Sequence, residues 1–153
     1  MKLAEALQLR SDVQKRIQQI RQRIALCART QEGEAPAEDP NALLAEIEAL
    51  TEQLESLIKR INRTNVRTQL EPGLTMTDAL AQRDVWHLRR SILVEAAGHA
   101  SLRQDRYSKS EVRFVSALDV ATLHRRADDL AKRARELDAK IQEANWQTEV
   151  AQD

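Results

Sequence analysis

Apolar residues in the last third of the chain recur at alternating intervals of four and three residues. The row begins at Leu123 and ends at Ala144, and charged side chains fill most positions between. This spacing is typical of a helix that buries one narrow face against other helices. It predicts a helix over about 119–148, and its core or oligomer seam comprises Leu123, Leu130, Leu137 and Ile141.

Two similar rows in the first 63 residues predict a helical hairpin over 2–63. The segment 30–40 separates the two helices as an acidic linker, because Gly33 and two prolines stop helix propagation there. Residues 1–29 carry seven basic and two acidic groups (7 − 2 = +5), and residues 30–56 carry eight acidic and no basic groups (−8). Opposite charges favour antiparallel pairing of the two helices. The alternative interpretation is an acidic face for a basic partner.

The middle of the chain predicts a turn followed by a third helix. Alternating apolar residues around Pro72-Gly73 are compatible with a short β-hairpin near 66–76, and Thr75 with Asp78 resembles a helix cap. The helix is expected over about 77–103. Its main apolar row is Ala81, Val85, Leu88, Ile92, Ala96 and His99, and a neighbouring stripe holds Trp86, Leu93 and Ala97. So wide an apolar face belongs to a central helix or to an oligomer interface.

These elements predict an all-α fold, an antiparallel bundle of long coiled-coil hairpins in one helical domain over 1–153. Aromatic residues make up 3% of the chain and glycines number three, which disfavours a sandwich or barrel. Residues 108–116 fit a strand, a loop or a helix. Because four slender helices cannot cover all these rows within one chain, we expect a homo-oligomer, a dimer or higher.

Composition narrows the functional classes. The formal net charge is zero, so nucleic-acid binding is not expected as the main function. Cys27, the single cysteine, lies at an apolar helical position and is expected to be buried. No apolar run is long enough to cross a membrane and no signal peptide is apparent, so we expect a cytoplasmic protein without membrane contact. The spacing of the three histidines lacks the motif of a helical di-metal site, and we expect no metal or cofactor.

Two polar clusters at predicted helix ends form the candidate binding site. Together with an arginine on the first apolar row, they comprise Arg10, Asn62, Arg63, Asn65, Arg103, Asp105, Arg106, Tyr107 and Lys109. The basic side chains suit an anion, and a tyrosine can stack on a base. The structural alternative is that Asp105 pairs with a nearby arginine and that the amides cap helices.

The chain resembles a family of small uncharacterised bacterial proteins, some of which carry the name septicolysin. The resemblance rests on seven stretches of the sequence: Met1–Leu7, Gln14–Arg16, Glu32–Glu34 with Pro36, Asp39-Pro40, Ile61–Asn65, Arg103–Ser108 and Ala144–Trp146. It extends over essentially the whole chain. It implies an all-helical, oligomeric protein and brings no known activity, substrate or cofactor. The name septicolysin suggests a pore-forming toxin, but the sequence shows no membrane-length apolar run and no long amphipathic strands.

We therefore expect a self-associating helical-bundle protein with a structural or scaffolding role and no catalytic activity. The alternative is an anion- or nucleic-acid-binding module that uses the polar helix ends 62–67 and 103–113. A third interpretation is an enzyme whose site forms between subunits. The sequence contains no glycine-rich phosphate loop and no spacing typical of a catalytic triad.

Overall fold

A computed structural model of the protein describes residues 1–101 and 114–152. These residues form four long helices and one small two-stranded antiparallel sheet. The elements are α1 (Leu3–Cys27), α2 (Pro40–Arg67), β1 (Gln69–Glu71), β2 (Leu74–Thr75), α3 (Met76–Ala100) and α4 (Val120–Gln147). The all-α prediction is confirmed, including the short hairpin. Residues 114–119 are irregular, whereas 108–113 lie outside the described residues.

Three of the helices begin at side-chain caps, which satisfy backbone N–H groups that have no partner within the helix. Asp39 accepts a hydrogen bond from the N–H of Asn41 (2.9 Å) and precedes a proline in the first turn of α2. The Thr75 hydroxyl accepts from the Asp78 N–H at 3.1 Å, and Asp119 accepts from the Thr122 N–H at 3.2 Å. Short polar residues therefore set where α2, α3 and α4 begin.

Helix α2 extends one turn beyond the expected end at residue 63. The cluster of Asn and Thr residues favours helix termination, but the Thr64 hydroxyl donates to the carbonyl of Arg60 at 2.7 Å within the continuing helix. The Thr68 N–H then donates to the Thr64 carbonyl at 2.9 Å and closes α2. The β1–β2 turn follows, and Gly73 takes a φ of +82°, a conformation that favours glycine.

The chain divides into two compact units. The first comprises Met1–Gln69 and the segment from Gln142 onward, and it contains α1 and α2 as an antiparallel pair. Its core at the linker end contains Ile20, Cys27 and Leu43, with Ile24, Ile47 and Leu50 packed against them. The buried position of Cys27 agrees with the sequence prediction.

Opposite charges on α1 and on the linker and α2 meet as the sequence predicts. Arg16 on α1 donates two hydrogen bonds to Glu46 on α2, the shorter at 2.5 Å, and Arg23 pairs with Glu38 in the linker. The Arg23 side chain lowers the pKa of the Glu38 carboxyl through their hydrogen bonds. These pairs are exposed, so they contribute more to the register of the hairpin than to its stability.

The second unit spans Leu70–Ile141 and contains all of the sheet except Gln69, together with α3 and most of α4. The α4 row is buried, as its spacing predicts, and consists of Leu123, Ala127, Leu130, Ala134, Leu137 and Ile141. Leu93 of α3 and Leu130 of α4 line the same shallow depression. Arg83 of α3 donates to Asp138 of α4 at 3.2 Å, and Lys140 pairs with Glu71 of β1.

Candidate functional site

The structure locates four of the nine polar residues proposed from the sequence. Arg10 is half-buried on α1 and has no ion pair with a described residue. On α2, Asn62 and Arg63 are exposed and Asn65 is half-buried. The other five (Arg103, Asp105, Arg106, Tyr107 and Lys109) lie outside the described residues. The structure therefore describes Arg10 and one of the two polar clusters.

The end of α2 that carries Asn62, Arg63 and Asn65 is contacted by the segment 148–151, which we call the C-terminal strap. Lys2 and Glu149 form an antiparallel bridge, in which the Leu3 N–H donates to the Thr148 carbonyl at 2.9 Å. In the same bridge the Val150 N–H donates to the Met1 carbonyl at 3.0 Å. The strap thus holds the first residues of α1 by backbone hydrogen bonds.

Thr64 connects the strap to α2. Its hydroxyl accepts a hydrogen bond from the Ala151 N–H at 2.9 Å while it donates to the Arg60 carbonyl at 2.7 Å. The Nε of Arg60 donates in turn to the Ala151 carbonyl at 3.0 Å. Both backbone groups of Ala151 are therefore held by α2 side chains. Thr64 and Arg60, which are close in sequence to the candidate residues Asn62 and Arg63, therefore hold the strap on α2.

Charge reinforces the same contact. Glu149 pairs with the Lys2 ammonium at 2.8 Å and with the N-terminal ammonium of Met1 at 3.0 Å. Two hydrogen bonds lower the pKa of the Glu149 carboxyl. The one to Lys2 has the larger effect, and the one to the N-terminal ammonium has the next largest. Sequence reasoning missed Thr64 and Glu149, because a contact between the two ends of a chain leaves no periodic pattern. At the end of α4 the side chain of Trp146 is 63% exposed, while Val150 in the strap is buried.

The apolar surface of α3 differs from expectation in a more consequential way. The row taken as its main seam is exposed: Val85 is 53% exposed, Leu88 60% and Ile92 54%. Ala81, one turn before Val85, is exposed too. We call Ala81, Val85, Leu88 and Ile92 the exposed α3 row.

The neighbouring stripe is the better covered one. Ala79 and Ala97 are buried, and Trp86 and Leu93 are half-buried. At about 100° per residue, this stripe lies on a different side of α3 from the exposed α3 row. The sequence holds a signal for this outcome, because Trp86, the largest side chain of α3, lies on the stripe that is covered. Helix periodicity alone does not distinguish two apolar faces of one helix.

Charged residues flank the exposed α3 row on its two sides. Asp84 accepts hydrogen bonds from Arg83 at 3.0 and 2.9 Å, and Arg83 also contacts Asp138. The two carboxylates Asp84 and Asp138 therefore share one guanidinium. Arg89 lies on the opposite side and has no ion pair with a described residue.

Further apolar side chains are exposed near the C-terminal end of α3. Phe114 and Val115 are largely exposed and line a depression together with Ala96 and His99. His99 lies 3.7 Å from Glu95 in an exposed pair. Residues 1–101 and 114–152 contain no group of three or more His, Cys, Asp or Glu that could hold a metal ion. Nor is any helix in these ranges long and apolar enough to span a membrane.

Four long helices with a β-hairpin between the second and third define a mainly helical protein with an apolar helix face exposed. The chain belongs to the family of unknown function DUF6847, which matches residues 10–150. It is similar to a functionally unknown conserved protein from Corynebacterium diphtheriae with a known crystal structure. The two share 42% identity with a TM-score of 0.92, and the match covers 99% of each chain. No curated protein matches the chain.

Proposed function

We propose that this protein is a self-associating helical protein with a structural or scaffolding role, and not an enzyme. The exposed α3 row carries the proposal. Val85, Leu88 and Ile92 are spaced at three and four residues, so they form one continuous strip along the helix. The strip has the spacing of a helix–helix seam and lacks a covering helix among the described residues.

Energetics support association through this strip. Fully burying a Val, Leu or Ile side chain contributes about 1.5–3 kcal/mol, so covering the exposed half of each would contribute about 1 kcal/mol per residue. Symmetric association counts each residue twice. Isolated exposed aliphatic residues are ordinary on protein surfaces, whereas a contiguous strip on one helix is typical of an interaction surface.

The test is the solution mass of the chain by light scattering over a range of concentrations. We expect a mass of at least two chains at high concentration. Leu88→Glu should shift the protein to single chains with an unchanged helical circular-dichroism spectrum. Val94→Glu is the matched control, since Val94 is also exposed on α3 but lies about 150° around the helix from the row.

The outcomes separate the candidate functions. Single chains at every concentration would refute self-association. An associated protein that tolerates Leu88→Glu would move the interface away from α3. Saturable, salt-sensitive binding of a short mixed RNA or DNA by single chains would instead favour the anion-binding alternative at 62–67 and 103–113.

A further inference from the structure

We propose that the exposed α3 row pairs with the same row of a second copy, in parallel, as a short two-stranded coiled coil. The inference rests on the proposed self-association and specifies its partner, its face and its orientation. It draws on two further features of α3, the residue types along the row and the charges on its two edges.

The row has the composition of a parallel dimer seam. Counted in sevens, Val85, Ile92 and His99 occupy one seam position, and Ala81, Leu88 and Glu95 occupy the other. β-Branched residues at the first position with leucine at the second favour two parallel strands. The centre of the row, Val85-Leu88-Ile92, follows this rule. The Ala81 end allows close approach of the helices, and the polar Glu95 and His99 mark where the apolar seam ends.

The edge charges point to the same orientation. In a parallel pair, the residue just before the first seam position faces the residue five positions later on the other helix. Asp84 would therefore lie opposite Arg89 of the second copy, and two-fold symmetry forms this pair twice. Asp84 shares the Arg83 guanidinium with Asp138, and Arg89 has no ion pair with a described residue.

The antiparallel arrangement uses the same apolar residues but not the same charges. In an antiparallel pair centred on the row, Ala81 faces Ile92 and Val85 faces Leu88 of the second copy, so Arg89 would lie beside Gln82 of that copy. Its Asp84 would face the region of Ser91 instead. The antiparallel orientation therefore places each of these charges beside an uncharged side chain, whereas the parallel one forms two ion pairs.

The length of the row sets the expected strength. Stable interfaces generally bury about 1,000 Å² or more, and a seam of two heptads lies near the lower end of that scale. We expect a dimer that dissociates on dilution and exchanges subunits on mixing. Exchange makes a charge-swap experiment possible with the full-length chain.

The experiment compares Asp84→Arg, Arg89→Asp and their equimolar mixture by sedimentation velocity. Each variant alone places equal charges in contact and should raise the dimer Kd at least tenfold. In the mixture, each heterodimer pairs opposite charges at both edges, so wild-type affinity should return. Arg90→Asp is the control, since Arg90 is exposed on α3 away from the row and its reversal should leave the Kd within twofold.

Disulfide trapping gives an independent measurement of orientation. The Ala81→Cys chain should form an interchain disulfide under mild oxidation, because Ala81 faces its own copy in a parallel pair. In an antiparallel pair centred on the row the two introduced thiols would lie about 17 Å apart along the axis, and only mixing with an Ile92→Cys chain would give the cross-link. Buried Cys27 remains in all variants, and wild-type protein under the same oxidation is the control.

Failure of this inference differs from failure of self-association. A wild-type dimer that Leu88→Glu dissociates, combined with no rescue in the charge-swapped mixture and no Ala81→Cys cross-link, would overturn the parallel pair alone. A wild-type chain that is monomeric at every concentration would overturn both. Rescue together with the cross-link supports the parallel pair.

Discussion

Thr64→Val isolates the contribution of the strap to stability. Valine keeps the branched shape of threonine but removes the hydroxyl that accepts the Ala151 N–H at 2.9 Å. Thr64 is 3% exposed, so water cannot readily replace the lost acceptor. A neutral hydrogen bond contributes about 0.5–1.5 kcal/mol, and a buried group left unpaired costs about 1–3 kcal/mol. Ala151 is half-buried, so we expect a loss of about 1.5 kcal/mol.

Urea unfolding followed by circular dichroism measures this loss. The denaturation midpoint should fall while the dependence on urea concentration stays unchanged, because the variant exposes the same surface on unfolding. Thr51→Val is the matched control. Its hydroxyl also donates to a carbonyl within α2, that of Glu48 at 2.8 Å, but it is exposed and holds no strap. We expect a change within about 0.5 kcal/mol for the control.

A double-mutant comparison separates the strap from other effects of the substitution. In a chain that ends at Thr148, the Ala151 N–H is absent, so Thr64→Val should cost less than about 0.5 kcal/mol. Equal losses in the full and shortened chains would refute the assignment of the Thr64 hydroxyl to the strap. A full-length variant as stable as the wild type would refute it as well.

Three further predictions concern the second unit and the pH response. Leu130→Glu places a carboxylate in the buried row of α4 and should destabilise the protein by several kcal/mol; wild-type melting would refute the burial. Hydrogen bonding to Lys2 lowers the pKa of the Glu149 carboxyl in the folded protein. The ionised carboxylate therefore contributes to stability above about pH 4.3, which is the pKa of an unfolded glutamate. This contribution is lost as the pH falls through the lower pKa of the folded state. Glu149→Gln should therefore weaken the acid dependence of the urea midpoint, and an unchanged dependence would contradict this. Gly73→Ala should cost about 1–2 kcal/mol because Gly73 has a positive φ, whereas Gly98→Ala in α3 should stabilise the protein by about 0.5–1 kcal/mol. Neither added methyl meets an atom within 4 Å, so the backbone conformation alone sets the two signs. Urea midpoints that shift in opposite directions would confirm both expectations, and shifts of the same sign would refute one of them.

Local chemistry accounts for what the sequence predicts correctly. Helix periodicity depends on neighbours three and four residues apart, so the buried row of α4 can be predicted without any tertiary information. Helix caps such as Asp39 and Thr75 bind backbone N–H groups within three residues, so they too can be predicted from the sequence. The opposite charges of α1 and of the linker and α2 predict a pairing that Arg16 and Glu46 confirm.

Long-range contacts account for what the sequence does not predict. The bridge between Lys2 and Glu149 joins residues that are far apart in the sequence, and no spacing of residues predicts it. In the sequence, Thr64 suggests the end of a helix, whereas in the structure its hydroxyl accepts a hydrogen bond from the N–H of Ala151. On α3 the sequence shows two apolar faces, and only the packing of the second unit decides which of them is covered.

The bridge between residues 1–3 and 148–150 also makes this protein suitable for circular permutation. Because residues 1–3 and 148–150 already lie side by side, a short glycine-rich connector could link these two segments of the chain. New ends could be opened in the exposed loop 28–37, where Gly33 has a positive φ and no atom within 4 Å of an added methyl. Such a rearranged chain would convert the non-covalent closure into a continuous backbone.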